Sequence, residues 1–213
     1  MSHGTCCIIG HMSKIGIFSG AFDPVHAGHI AFALESVVTA NLDMVYFLPE
    51  PSPRQKSGVS HIAHRLAMLD TALLPHPNLS KLELPDKRFT VSGTLPRLKS
   101  MFANDELFMM IGSDVLTFMD SADSAKLWPG LDILLDNMRL LVGVRQQMDV
   151  AKCDRALSRI QSHGQIVLAE KSDISSSNIR RQVARGLHTS LLPSLQDYVR
   201  KNWLYVSVDS NSA

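Results

Sequence analysis

Two apolar periods alternate along this chain, and the switches between them mark its elements. The run over residues 15–18 is short and continuous, as expected of a buried strand, and Gly20, Asp23 and Pro24 break it. From about His26 the period becomes helical, with Ile30, Phe32, Leu34 and Val37 on the apolar side. Residues 43–48 predict a second strand. Pro49, Pro51 and Pro53 then open a loop that displays Arg54 and Lys56. Leu66, Met68, Leu69, Ala72 and Leu73 give a second helix its apolar face, stopped by residues 75–78, and 79–84 reads as a third strand. Phe89 to Leu95 opens another helix, and the apolar run over 107–111 suits a central parallel strand covered on both faces. A helix over 131–135, a strand over 138–144, a helix over 150–160 and a short strand over 165–169 follow. A helix starting in the serines at 175–177 and another from Leu192-Pro193 close the chain. Alternation without strand-to-strand hairpins predicts an α/β fold: a Rossmann-like doubly wound parallel sheet, helices on both faces, and a small C-terminal helical part.

Two stretches in this frame carry chemistry. In Gly16-Ile-Phe-Ser-Gly-Ala-Phe-Asp-Pro-Val-His-Ala-Gly-His29 a strand feeds a helix through a tight loop. The first turn of such a helix has unbonded N–H groups and the positive dipole end, so an anion there gains ~0.3 to 1 kcal/mol before any side chain helps. His26 and His29, three residues apart, are expected on one face at roughly 5 to 6 Å, a spacing suited to two oxygens of one polyphosphate. Gly28 leaves room for close approach. A histidine pair could also be half of a metal site, but no third ligand lies at a matching spacing. The loop is neither Gly-x-Gly-x-x-Gly nor Gly-x4-Gly-Lys-Ser/Thr, which lowers the weight of dinucleotide dehydrogenases and P-loop ATPases. In the second stretch, Ser175, Ser176 and Ser177 begin a helix, so one hydroxyl can cap it while the others face an anion, and Arg180 brings a forked cation to the same end. Asp114, just past the run over 107–111, stands where an open α/β sheet binds ligands, and reads either as a ribose or magnesium contact or as a helix cap. Trp128 is either core or a stacking platform.

Size and charge narrow the class. A chain of 213 residues with 45% apolar content can bury one full core. A formal net charge of +1 provides no general field for nucleic acid or membrane, which directs attention to a small anionic ligand and a local site. Three cysteines, Cys6 and Cys7 adjacent, form neither a disulfide framework nor a Cys-x-x-Cys knuckle and fit a reducing cytoplasm. No stretch reads as a secretory signal or a membrane span.

The string Gly20-Ala-Phe-Asp-Pro-Val-His-Ala-Gly-His29 resembles the His-x-Gly-His signature of the nucleotidyltransferase superfamily and, within it, the chain resembles the bacterial nicotinate-nucleotide adenylyltransferases. Ile174-Ser-Ser-Ser-Asn-Ile-Arg180 resembles that family's Ile-Ser-Ser-Thr-x-Ile-Arg with Ser177 in place of Thr. The likeness also takes in Lys56, His64-Arg-Leu-Ala-Met68, Phe89-Thr-Val-Ser-Gly-Thr-Leu95, Gly112-Ser-Asp114, Trp128 and the last helix through Tyr205. Departures are Arg54-Gln55, where the family often has Pro-His, and Arg145-Gln-Gln, where it commonly has Arg-Pro-Gly.

This resemblance implies adenylyl transfer from ATP to nicotinate mononucleotide in NAD biosynthesis. It implies His26, His29 and Arg180 as catalytic residues, and Ser19, Gly20, Phe22, Gly28, Lys56, Gly112, Asp114, Ser175, Ser176 and Ser177 around ATP. Asp23, Thr90, Thr94 and Trp128 would take the mononucleotide, although Thr90 is as good a helix cap as a ligand contact. Magnesium would arrive with ATP, with no metal ligand from the protein. The partners expected are ATP and nicotinate mononucleotide, not nucleic acid or a membrane, in a cytoplasmic enzyme compatible with homo-oligomer formation. A nicotinamide-mononucleotide, cytidylyl or phosphopantetheine transferase, or a non-catalytic nucleotide-binding module, are the alternatives. Residues 1–13 are expected to be an extension, disordered or a cloning remnant, with 14–205 one nucleotidyltransferase domain and 206–213 a tail.

Overall fold

The computed structural model describes residues 12–54, 56, 58–144, 146–169, 174–187 and 190–206. Gln55, Arg145 and most of the expected N-terminal extension and C-terminal tail lie outside these described residues. The elements run β1 (Lys14–Gly20), α1 (Ala27–Ala40), β2 (Met44–Pro49), α2 (Ile62–Leu73), β3 (Leu79–Lys81), α3 (Thr94–Met101), β4 (Glu106–Gly112), α4 (Ser113–Met119), α5 (Ser124–Leu127), α6 (Leu131–Asn137), β5 (Arg139–Val144), α7 (Val150–Arg159), β6 (Gln165–Leu168), α8 (Ser176–Ala184) and α9 (Pro193–Lys201).

The six strands make one parallel sheet in the order β3-β2-β1-β4-β5-β6. This is the doubly wound arrangement, and its order reverses between β1 and β4. Because side chains alternate across a strand, each strand feeds two cores. Val45, Phe47, Phe108, Met110 and Leu141 pack with α1, α2, α8 and α9 on one face. Ile15, Ile17, Leu107, Met109, Ile111, Leu140, Val142 and Val144 pack with α3, α4, α6 and α7 on the other. All five residues at 107–111 are buried, which explains why that run shows no alternation.

Four elements depart from the sequence reading. The third strand pairs only over Leu79–Lys81; Leu82 still donates to the Phe47 carbonyl at 2.8 Å, and Pro85, lacking an N–H, follows where the edge leaves the sheet. The helix expected to open at Phe89 begins at Thr94, because residues 90–93 form a turn in which Gly93 N–H donates to Thr90 Oγ1 at 3.2 Å. Helix α4 corresponds only to the helix-cap reading of Asp114 and α5 to no expectation; at seven and four residues both are too short to show a period.

Candidate active site

At the carboxyl ends of β1 and β4, where the strand order reverses, the sheet opens into a cavity of about 600 Å³. The two sequence stretches converge on it, since helices α1 and α8 both begin at its wall.

On the α1 side, β1 ends at Gly20 and the chain turns through Phe22, whose backbone is left-handed (φ 48°). The Phe22 ring folds back over Gly20, where a Cβ would lie 3.2 Å from it, so a larger residue there would press on the ring. His26 is the extended N-cap of α1, and His29 is three residues into the helix. Their rings stack at 3.7 Å with 26° between planes, closer than helical spacing alone predicts, because the N-cap lies outside the helical spiral. His29 Nδ1 accepts from the His26 backbone N–H at 3.3 Å, so the neutral His29 ring carries its proton on Nε2. The edges of Phe18 and Phe22 pack against the same ring at 5.8 and 5.2 Å, which fixes its plane.

On the α8 side, Ser175 is the N-cap and its Oγ accepts from Asn178 N–H at 3.2 Å. Ser176 Oγ donates to the Pro24 carbonyl at 3.0 Å, and Arg180 Nη1 donates to the Asp23 carbonyl at 2.7 Å. Arg180 Nη2 donates to Ser177 Oγ at 3.3 Å. These contacts clasp two helix N-termini 152 and 157 residues apart in the chain, so that both positive dipole ends meet at one cavity. Beyond the histidines and Arg180, the walls include Ser19, Gly20, Phe22 and Gly28, the exposed Lys56, the three serines, and Gly112 with Asp114. Asp114 lies in the first turn of α4 with its carboxylate over Gly112, where a Cβ would meet Oδ1 at 2.5 Å.

The residues expected to take the mononucleotide divide differently. Asp23 lines the cavity but is 1% exposed. Its Oδ1 accepts from the Tyr205 hydroxyl at 2.6 Å and its Oδ2 from Ser60 N–H at 3.0 Å, so this carboxylate is spent inside the protein. Thr90, Thr94 and Trp128 are not among the cavity walls. Thr94 is 0% exposed, accepts from Thr90 N–H at 3.0 Å and donates to the Arg88 carbonyl at 3.4 Å; in this conformation it shapes the turn and does not face a ligand. Trp128 is half-buried against Phe89, with the Arg54 guanidinium 5.5 Å from its ring centroid and Arg54 Nη2 donating to the Phe89 carbonyl at 3.4 Å.

Two bracing residues gave no signal of this kind in the residue pattern. Arg65 is 0% exposed and donates to four backbone carbonyls: Ser60 at 2.9 Å, Ala21 and Glu50 at 2.8 Å, and Pro51 at 3.1 Å. Burial lowers its guanidinium pKa from the ordinary value, with Asp23 opposing. Glu50 Oε1 accepts from Ser19 Oγ at 3.0 Å and from Phe89 N–H at 2.9 Å, joining the end of β1 to the segment that carries Thr90.

Residues 17–182 match the family described as Cytidylyltransferase-like. The chain is 32% identical over 207 residues to the nicotinate-nucleotide adenylyltransferase of Bacillus subtilis, covering 92% of this chain and 100% of that one. The chain belongs to the nicotinate-nucleotide adenylyltransferase family. Another member, the Carboxydothermus hydrogenoformans protein named "Probable nicotinate-nucleotide adenylyltransferase", is 32% identical over 203 residues, 91% of this chain and 98% of its own. The fold is shared with the Plasmodium falciparum nicotinic acid mononucleotide adenylyltransferase complexed with NaAD, at a TM-score of 0.72 and 19% identity over 91% of this chain and 97% of that one. Among the described residues no helix is long and apolar enough to cross a membrane.

Proposed function

We propose that this chain transfers the adenylyl group of ATP to nicotinate mononucleotide, giving nicotinate adenine dinucleotide and pyrophosphate, a step of NAD biosynthesis. The observation that carries the reading is the clasp between the starts of α1 and α8, which brings His26, His29 and Arg180 to one cavity at the switch point of the sheet. The names of the relatives in its family support the choice of acceptor.

The chemistry is an in-line displacement. An oxygen of the mononucleotide 5′-phosphate attacks the α-phosphorus, and the bond to the bridging oxygen breaks as pyrophosphate leaves with its electron pair. The nucleophile is already an anion, so no protein nucleophile or general base is required, and the protein contributes position and charge stabilisation. His29, its ring fixed between His26 and the two phenylalanines, offers Nε2–H to an α-phosphate oxygen. Arg180 and Lys56 draw the β and γ phosphates, and the capping turn of α8 offers N–H groups to the same anion. Asp114, the acidic side chain at the mouth of β4, suits a ribose hydroxyl or the water shell of a magnesium ion carried by the nucleotide, since magnesium is usually held by one or two carboxylates together with substrate phosphates. That ion would supply charge neutralisation on the triphosphate. The aromatic cluster of Trp128 and Phe89 is the natural place for the pyridine ring, held beside the cavity through Glu50.

Incubation with ATP, magnesium and nicotinate mononucleotide, with products resolved by chromatography, tests the assignment. Nicotinate adenine dinucleotide is expected in equal amount to pyrophosphate, and its formation stops when the metal is chelated. Pyrophosphate without the dinucleotide, or neither product, would refute it.

A further inference from the structure

Helix α9 ends at Lys201, and the chain then turns back on itself instead of running out into solvent. The turn passes through Trp203 (φ 51°) and Tyr205 (φ 65°), two non-glycine residues in the left-handed region, where an L side chain crowds its own carbonyl. A conformation of this kind persists only where surrounding contacts hold it. Here Leu204 is buried in the first core, and the Tyr205 ring tucks beneath Met68, hydroxyl to sulfur 3.9 Å. The hydroxyl reaches Asp23 Oδ1 at 2.6 Å, the shortest bond that carboxylate makes.

We infer that Tyr205 is a positioning residue for Arg180, acting through Asp23. The path is continuous. Asp23 is gripped at Oδ1 by Tyr205 and at Oδ2 by Ser60 N–H, and its own backbone carbonyl takes Arg180 Nη1 at 2.7 Å. The same nitrogen lies 4.0 Å from Oδ2, so both the carbonyl and the charge of Asp23 steer the guanidinium. Ser177 Oγ holds the other end, and the fork is left aimed along the cavity wall. Burial, and then the Asp23 carboxylate, push the phenol pKa well above its ordinary value, so it stays a donor. Removing the hydroxyl frees Oδ1 in a site that is 1% exposed, and the side chain re-seeks a donor. Arg65, the other cation that feels this carboxylate, is held by four backbone carbonyls, whereas Arg180 Nη1 already lies 4.0 Å from Oδ2, so Arg180 is the one drawn toward Asp23 and away from the cavity. The segment after α9 therefore works as a strap across the back of the phosphate loop.

The inference rests on Arg180 binding phosphate, and a double-mutant cycle tests it. Tyr205→Phe keeps the ring and removes only the hydroxyl. It is expected to weaken ATP affinity and lower kcat by about tenfold each, the scale of one lost buried charge-assisted hydrogen bond, with KM for nicotinate mononucleotide unchanged. In an Arg180→Ala background the same change should cost less than about twofold, because the residue it positions is gone. Equal losses in both backgrounds, or a wild-type ATP affinity in Tyr205→Phe, would overturn the inference. If Tyr205→Phe unfolds below the assay temperature, Asp23→Asn replaces it in the cycle with the same two outcomes. ATP affinity is measured without an acceptor, so the cycle is decided even if nicotinate mononucleotide proves not to be the substrate.

Discussion

The two halves of this site are built on different plans. On the phosphate side every supporting group is tied down: the histidines stack and exchange a backbone-to-ring bond, the serines cap and clasp, and Asp23 and Arg65 are buried with several partners each. On the side proposed for the acceptor, Trp128 is half-buried, Arg54 is exposed on its ring, and Thr90 lies outside the cavity walls. Charge stabilisation depends on donors held in place before the reaction, whereas a planar ring can be recognised by a platform that settles around it. Under the proposed function, rate belongs to the phosphate side and substrate choice to the acceptor side.

Breaking the brace should cost most. Arg65→Ala leaves four carbonyls without their donor in a buried site, and a loss of about 3 to 5 kcal/mol in stability is expected, read as a fall of roughly 10 °C in Tm with activity lost in parallel. Arg65→Lys should recover only part of this, since an ammonium lacks the fork that spans separate carbonyls. His29→Ala comes next: by analogy with removing one oxyanion donor, kcat falls roughly 10² to 10³-fold, about 3 to 4 kcal/mol, while Tm stays close to wild type. An unchanged kcat would remove His29 from the chemistry.

The acceptor side gives a smaller and differently shaped effect. Trp128→Ala is expected to raise KM for the mononucleotide about tenfold, as loss of one aromatic stack of ~1.4 kcal/mol would, with KM for ATP unchanged. A change in ATP binding instead would dissolve the division between the two sides. The smallest effect belongs to Ser176→Ala, which removes one 3.0 Å bond of the clasp; a rise of severalfold in KM for ATP, about 1 kcal/mol, is expected in initial-rate measurements.

The same contrast governs how much was legible in the sequence. The alternating sheet, and the histidine and serine stretches at two helix starts, are local patterns, readable because backbone geometry repeats over a few residues. Arg65 and Tyr205 were visible only as parts of family-like strings. The partners of Arg65 lie 5 to 44 residues away and the Asp23 partner of Tyr205 lies 182 away, and no period connects them. Arg65 in particular sits in a helix where an arginine is ordinarily solvated; only the fold brings Ala21, Glu50 and Pro51 around it. Thr94 is ambiguous for the converse reason. A hydroxyl near a helix start suits a ligand and a turn equally, and here it is buried in the turn. The third strand reads too long because Leu82 and Leu84 continue the apolar alternation past Lys81, where its pairing with β2 ends.

We propose that a preformed phosphate clamp serves an acceptor side selective for nicotinate mononucleotide. The most direct test is pyrophosphate release from ATP and magnesium with nicotinate mononucleotide, nicotinamide mononucleotide and phosphopantetheine offered separately. The account predicts kcat/KM for nicotinate mononucleotide at least tenfold above either competitor, a difference of ~1.4 kcal/mol or more in transition-state binding. Equal rates with all three, or release with none despite ATP binding, would contradict it.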